Sequence, residues 1–398
     1  MVWSGTEERD ARRVLSRAVR IARTLDNALL ESRGSIYSNS MNCDINIVGT
    51  IPPPIGGVSC HVFRLCEVAG ISGFSVCLFD LRPNPEKHFP ENVHRCPGSS
   101  SLAVVGRYIL WQVFRQSGLV HAHVSRVRPF IWLNAILLIT GRRAVDLVTF
   151  HSGALEDDYL RLTLIERVLF AALLRRARGV VCVSERLSRF VRALIRETPD
   201  KVETIPAYLP QSNAPKLQTK ATLSIEGFLG ANSKAVLIAS GYGTPLYGWE
   251  FVLRAVSGLS KDCKWILCFY NQYARPYYTR IRKMAEEHPN VLVLEDLSLE
   301  EFSWVLERAS VYFRPTATDG DSVALREALS KGLKCVASDA VPRPASVGLF
   351  RLEDNEQMLS KLRQAVEGVP SGPAVELGGL TVIDLYRRIL TLEGAIEA

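Results

Sequence analysis

The sequence predicts an α/β protein of two successive parallel-sheet domains, and three observations predict it. From residue 43 onward, short apolar runs of strand length alternate with longer segments whose apolar residues recur every three or four positions. The alternation loosens over 209–232 into a stretch rich in Pro, Ser, Asn and Gly, then restarts. The length, 398 residues, suits two domains of ordinary size.

Residues 1–42 stand apart. Val14, Ala18, Ile21, Leu25 and Leu29 recur at helical spacing among arginines, which predicts a basic amphipathic helix followed by a polar linker. The first domain, 43–208, opens with CDINIVGT, a short buried strand. A turn with paired glycines and the helical segment VSCHVFRLCEVAG follow. GFSVCLFDL, GLVHAHV, AVDLVTFHS, ARGVVCVS and KVETIPAY are the next strands, and RLTLIERVLFAALLRRAR reads as a helix between two of them. The segment 209–232 is the expected linker. In the second domain, 233–375, the strands KAVLIASG, KWILCFYN, NVLVLED, VYFRPT and KCVASD alternate with helices such as WEFVLRAVSGL and LEEFSWVLERA. A final amphipathic helix within 376–398 is expected to pack back on the first domain.

Composition narrows the function classes. Hydrophobic residues make up 47% and charged residues 22%, which excludes collagen-like and mainly disordered chains. The net charge of +7 is too mild for a dedicated nucleic-acid binder. It is also uneven: residues 1–210 hold 27 Lys and Arg against 19 Asp and Glu, and 211–398 hold 21 against 22. The basic half points to an anionic partner, either a phosphate-bearing substrate or an anionic membrane surface. Nine cysteines, with no CxxC pair, lie mostly in apolar runs. They are expected to be reduced core residues in a cytoplasmic protein, and no metal-ligand spacing appears. The N-terminus lacks the apolar core of a signal peptide. The most apolar long run, Phe130 to Thr140, is about half of a membrane span. The protein is therefore expected in the cytoplasm, attached at most to the inner face of a membrane.

Chemistry concentrates in RPTATDGDSVALREALSKGLKCVASD. A strand ends at Phe313, a loop carries Asp319 and Asp321, and Ser322 is placed to cap a helix containing Glu327. Ligands of open α/β sheets bind beyond the carboxyl ends of the strands, where this loop falls. Backbone N–H groups at Ser322 and Val323 would meet a phosphate. Glu327, roughly 8 Å further along the helix, would reach the ribose of a nucleotide.

With these residues in view, the sequence over about 43–393 resembles the family 4 retaining glycosyltransferases of GT-B architecture, two Rossmann-like domains facing across a cleft. Their E-x7-E signature appears here as Asp319-x7-Glu327, followed by SKGLKCVASD, and DGDSVALREAL with VPRP resembles a subgroup of bacterial cell-surface polysaccharide assembly. The resemblance implies that Asp319 contacts the donor sugar and Glu327 the ribose. It implies that Gly56 and Gly57 form a backbone loop facing the donor phosphates, where glycine permits close approach or positive φ. His151, in VTFHSG, would reach the donor sugar near the reacting centre, while His121 and His123 would be structural or acceptor-side. The first domain would bind the acceptor, a glycan or a lipid-linked chain. The second would bind the nucleotide-diphosphate sugar, with no metal or other cofactor and with retention of configuration.

One departure stands out. Where the resembled enzymes carry Arg and Lys against the departing diphosphate, this chain has GYGTPLYG, with Tyr242 and Tyr247 in their places. Tyrosine donates hydrogen bonds but brings no charge. Arg314, Arg326 and Arg343 are the candidate replacements, with Arg343 preferred. The alternative is a GT-B-shaped binding or scaffold subunit with little or no catalysis.

Overall fold

The computed structural model describes residues 43–81, 93–96, parts of 104–112, 118–139, 145–196, 198–209, 217–230, 234–271, 274–368 and 381–397. The expected helix within 1–42 lies outside them. Strands β1 (Ile45–Gly49), β2 (Val76–Asp80), β3 (Val93–Cys96), β4 (Leu119–Val124), β5 (Leu147–Phe150), β6 (Gly179–Cys182) and β7 (Val202–Thr204) form a seven-stranded sheet in the order β3-β2-β1-β4-β5-β6-β7. Strands β8 (Ala235–Tyr242), β9 (Cys263–Tyr270), β10 (Val291–Glu295), β11 (Val311–Arg314), β12 (Lys334–Ser338) and β13 (Gly348–Phe350) form a six-stranded sheet, β10-β9-β8-β11-β12-β13. Neighbouring strands pair parallel, as in β1 with β4 and β8 with β11.

Every described residue of β1, β2, β4, β5 and β6 is buried, which explains their mainly apolar sequences. Each sheet reverses direction of winding at its centre, between β1 and β4 and between β8 and β11. These reversals leave a crevice beyond the carboxyl ends of the strands. The helix Gly57–Ile71 follows β1, and the helix Val323–Ser330 follows β11, so the two crevices carry the expected site residues and face one another.

Three features differ from the sequence expectation. The segment 209–232 is not wholly a linker. Lys220–Leu229 is a helix whose N-terminus carries a reciprocal cap between Thr219 and Thr222, and its Ile225 is buried in the second domain's core. Its short apolar stripe was masked by the polar residues on either side. Secondly, Cys43 and Cys77 are joined in a disulfide, although reduced thiols were expected throughout. Cys43 precedes β1 and Cys77 lies on adjacent β2, with Cα atoms 5.8 Å apart, within disulfide reach. Six other cysteines among the described residues are free and buried. Thirdly, the short edge strands β3 and β13 and the helix Asn355–Glu367 add to the expected elements.

The helix Val382–Glu397 packs its Val382, Ile383, Leu385, Tyr386 and Ile389 into the first domain beside Ile45, Leu65 and Leu119. Arg388 reinforces the contact with an ion pair to Glu203.

Candidate active site

The site is built where the two crevices meet. In the first domain, Gly56 caps the helix Gly57–Ile71 with extended backbone, φ −168°. Of the two uses of glycine that the sequence suggested, close approach applies here, to a tyrosine side chain, and positive φ does not. A Cβ on Gly56 would lie 2.1 Å from the Tyr242 hydroxyl of the second domain. Gly57 is under no such constraint, since a Cβ there would meet nothing closer than Val323 at 3.9 Å.

In the second domain, β8 ends at Tyr242 and β11 at Arg314. Ser322 caps the next helix by accepting from the Leu325 N–H, which the sequence anticipated. A cavity of about 130 Å³ lies between the domains. Gly56, Gly57, Cys60 and Arg64 line it from one side. From the other side it is lined by Tyr242, Tyr247, Arg314, Asp319, Asp321, Ser322, Val323 and Glu327.

Both carboxylates of the Asp319-x7-Glu327 pattern thus reach one cavity. Glu327 is buried and accepts from Arg64 at 2.8 Å. Asp319 accepts from Arg314 Nε and Nη2 at 3.1 and 3.0 Å and from Arg343 Nη1 at 3.1 Å. Burial alone would raise the Asp319 pKa, but the two guanidinium groups outweigh it and hold the carboxyl below its ordinary range. Asp319 is therefore a half-buried carboxylate anchored by cations.

Asp321 behaves differently. It pairs with Arg326 at 2.6 Å and accepts from the Ala207 N–H of the first domain at 3.0 Å. Here burial prevails over Arg326 and raises the pKa. Its contacts tie the domains together, and they engage Arg326, which the sequence left as a candidate phosphate ligand.

The preferred diphosphate cation, Arg343, does not line the cavity. Its side chain is 2% exposed and is held behind Asp319, donating also to Thr316 Oγ1 at 2.9 Å. The cations on the wall are Arg314 and Arg64. Arg314 donates to the Ser240 carbonyl at 2.8 Å and lies over the Tyr247 ring. Arg64 was not anticipated. Its signal was present: Gly57, Cys60 and Arg64 recur at three- and four-residue spacing, so they share the helical face that follows the glycine pair.

His151 does not line the cavity either. It sits beneath the loop at 319–320, where a Cβ on Gly320 would lie 2.2 Å from the His151 carbonyl oxygen. Its Nε2 is 3.0 Å from His123 Nδ1, and its ring stands beside that of His61. His121 is satisfied by Tyr386 and Thr149 and serves the core. Burial lowers the pKa of all four imidazoles, that of His61 to about 4, so they are neutral near pH 7. Burial pushes the Cys60 thiol up to about 11, which disqualifies it as a nucleophile.

Residues 55–207 match the family model of Glycosyltransferase Family 4. The chain carries a Glycosyltransferase Family 4 domain. No curated protein matches the sequence. Among solved structures, a sucrose-phosphate synthase from Thermosynechococcus elongatus superimposes with a TM-score of 0.66 at 14% identity, covering 89% of this chain and 100% of that one. WaaG, a glycosyltransferase involved in lipopolysaccharide biosynthesis, gives 0.56 at 12% identity over 81% of this chain and 90% of its own. HepE from Anabaena, solved in complex with UDP, gives 0.55 at 13% identity over 88% and 95%. The architecture is GT-B: two parallel-sheet α/β domains on either side of a cleft. Within it, the family model covers most of the first domain, and both carboxylates of the signature belong to the second.

Proposed function

We propose that this family 4 chain transfers a sugar from a nucleotide-diphosphate donor to a glycan or lipid-linked acceptor. In our reading it does so with retention of configuration, as a step of cell-surface polysaccharide assembly. The observation that carries the reading is the convergence of Asp319 and Glu327 on one interdomain cavity opposite Gly56 and Gly57.

When the bond from the sugar to the diphosphate breaks, positive charge develops on the sugar and negative charge on the leaving group. Asp319, held ionised by Arg314 and Arg343, sits where it would stabilise the sugar. Arg64 and Arg314 would meet the diphosphate, which replaces the charge lost at Tyr242 and Tyr247. The cavity, about 130 Å³, is below the 300–1,000 Å³ typical of ligand pockets. Donor entry must then part the domains and separate Arg64 from Glu327. Glu327 would turn to the ribose hydroxyls and Arg64 to the phosphates, and closure would exclude water from the reacting centre.

The test is a panel of nucleotide sugars scored for binding and for slow donor hydrolysis. One donor should bind, Glu327→Ala should abolish binding, and Arg64→Met should slow turnover by about 10²–10³. Failure of every donor to bind would overturn the reading. Binding of a donor without turnover under any acceptor would favour the second reading, a non-catalytic binding subunit, which Tyr242 and Tyr247 motivate.

A further inference from the structure

Three histidines from distant parts of the chain meet inside the first domain. His61 lies on the helix after the glycine loop, His123 near the carboxyl end of β4, and His151 just beyond β5. Parallel pairing sets His123 opposite Thr149, so His151 follows two residues along the neighbouring strand. All three are buried, and one nitrogen from each can be chosen so that the three lie within 4.8 Å of one another.

Their three rings cluster at separations that suit a shared ligand. Ring centroids are separated by 5.2, 4.8 and 5.3 Å. Three rings bound through nitrogen to one ion at about 2.0–2.1 Å in tetrahedral directions would have centroids roughly 5 Å apart. His61 Nδ1 is 2.6 Å from the Ala207 carbonyl oxygen, so that nitrogen carries the proton. Its Nε2 is then an unprotonated lone pair, buried and without a hydrogen-bond partner. A backbone carbonyl behind a histidine is the usual support of a metal ligand. His123 Nε2 is likewise buried and unpartnered. Leaving such polar atoms unsatisfied is costly, and an ion would satisfy them.

We propose that His61, His123 and His151 form a binding site for a single divalent transition ion of the zinc class. An all-imidazole donor set suits zinc, cobalt, nickel or copper rather than magnesium or calcium. Three protein ligands leave a fourth position open, the form of a reactive rather than a purely structural site. Two neutral rings now share one proton in the His123–His151 hydrogen bond. Binding breaks that hydrogen bond, and each neutral ring keeps its one proton on its non-ligating nitrogen, so no net proton is released. The site adjoins the cleft: Cys60 beside His61 lines the cavity, and Gly153, two residues past His151, abuts the Asp319 backbone. The proposal does not depend on the donor assignment.

Cobalt(II) titration of the metal-stripped full chain, followed by visible absorption and equilibrium dialysis, tests it. One equivalent should bind with the intense absorption of four- or five-coordinate cobalt and be displaced by zinc. The absorption should vanish in His61→Gln and His123→Gln and persist in His288→Gln, a control for binding to an unrelated histidine. No stoichiometric uptake by the unaltered chain, or the weak spectrum of hydrated cobalt, would overturn the proposal whatever the variants do. An unchanged spectrum in His61→Gln would overturn it too.

Discussion

Arg64 of the first domain and Glu327 of the second form a buried ion pair, 2.8 Å apart, at the closure between the domains. The Arg64 pKa is affected by burial, which lowers it, but Glu327 overcomes that and the net shift is upward. Removing one partner strands the other charge, at a cost of about 3–5 kcal/mol. Arg64→Met and Glu327→Leu should each lower the thermal midpoint, and Arg64→Met/Glu327→Leu should recover most of the loss. Additive losses in the double variant would show that the two side chains are not coupled.

The approach of Gly56 to Tyr242 yields a second prediction. In Gly56→Ala the new Cβ would overlap the Tyr242 hydroxyl, and overpacking of this kind costs about 1–3 kcal/mol. Adding Tyr242→Phe removes the offending oxygen and should restore part of the stability. Gly57→Ala meets only an ordinary contact with Val323 at the first turn of a helix and should be neutral or stabilising by roughly 0.5–1 kcal/mol. Denaturant midpoints of the four proteins decide it. Equal effects at positions 56 and 57 would contradict the structure.

The two loop carboxyls should respond to acid with opposite signs. Asp319 has a folded pKa below the ordinary aspartate value of 3.8. Its contribution to stability is complete above pH 3.8 and is lost as pH falls through the folded pKa. Asp321 has a folded pKa above 3.8, so its ionised form costs stability, and that cost is relieved as pH falls through the folded value. Denaturant midpoints followed from neutral pH to below 3.8 should therefore show a shallower acid loss in Asp319→Asn and a steeper one in Asp321→Asn. At neutral pH, Asp319→Asn should also be destabilising, because Arg314 and Arg343 lose their shared anion.

Much of the architecture was legible because burial on both faces writes parallel strands as uninterrupted apolar runs. VVCV and WILCF could hardly be anything else. Short edge elements escape that signal: β13 has three residues, and its Leu349 is 40% exposed. The loop carboxylates were legible as well, because a seven-residue interval spanning a capped helix start fixes their relative position. What the chain order concealed was pairing across the cleft. Arg64 and Glu327 are 263 residues apart, and only the opposition of two sheets makes them neighbours. The same holds for His61, His123 and His151, whose spacing follows no local ligand pattern because strand pairing, not sequence interval, brings them together.

The last prediction concerns the basic first domain. No described helix is long and apolar enough to cross a membrane. The helix Leu164–Arg176 nonetheless leaves Leu164, Ile165 and Val168 at least half exposed, and Trp132 of the adjoining helix Val127–Ile139 lies beside them. Glu166, the acid among them, is consumed by Thr163, Arg128 and Trp132, so it adds no unpaired negative charge to the patch. Exposed Arg126, Arg128 and Arg161 flank the apolar residues. Each basic residue near an anionic bilayer is worth about 1 kcal/mol, and each aliphatic side chain buried there about 1.5–3 kcal/mol. The full chain should therefore float with vesicles containing acidic lipids at low salt, less at high salt, and weakly with neutral vesicles. Leu164→Asp/Val168→Asp should reduce flotation while shifting stability by no more than about 0.5 kcal/mol, because both side chains are already in water. Flotation unchanged by that pair would move the attraction elsewhere on the first half of the chain, and no dependence on lipid charge would remove its electrostatic part altogether.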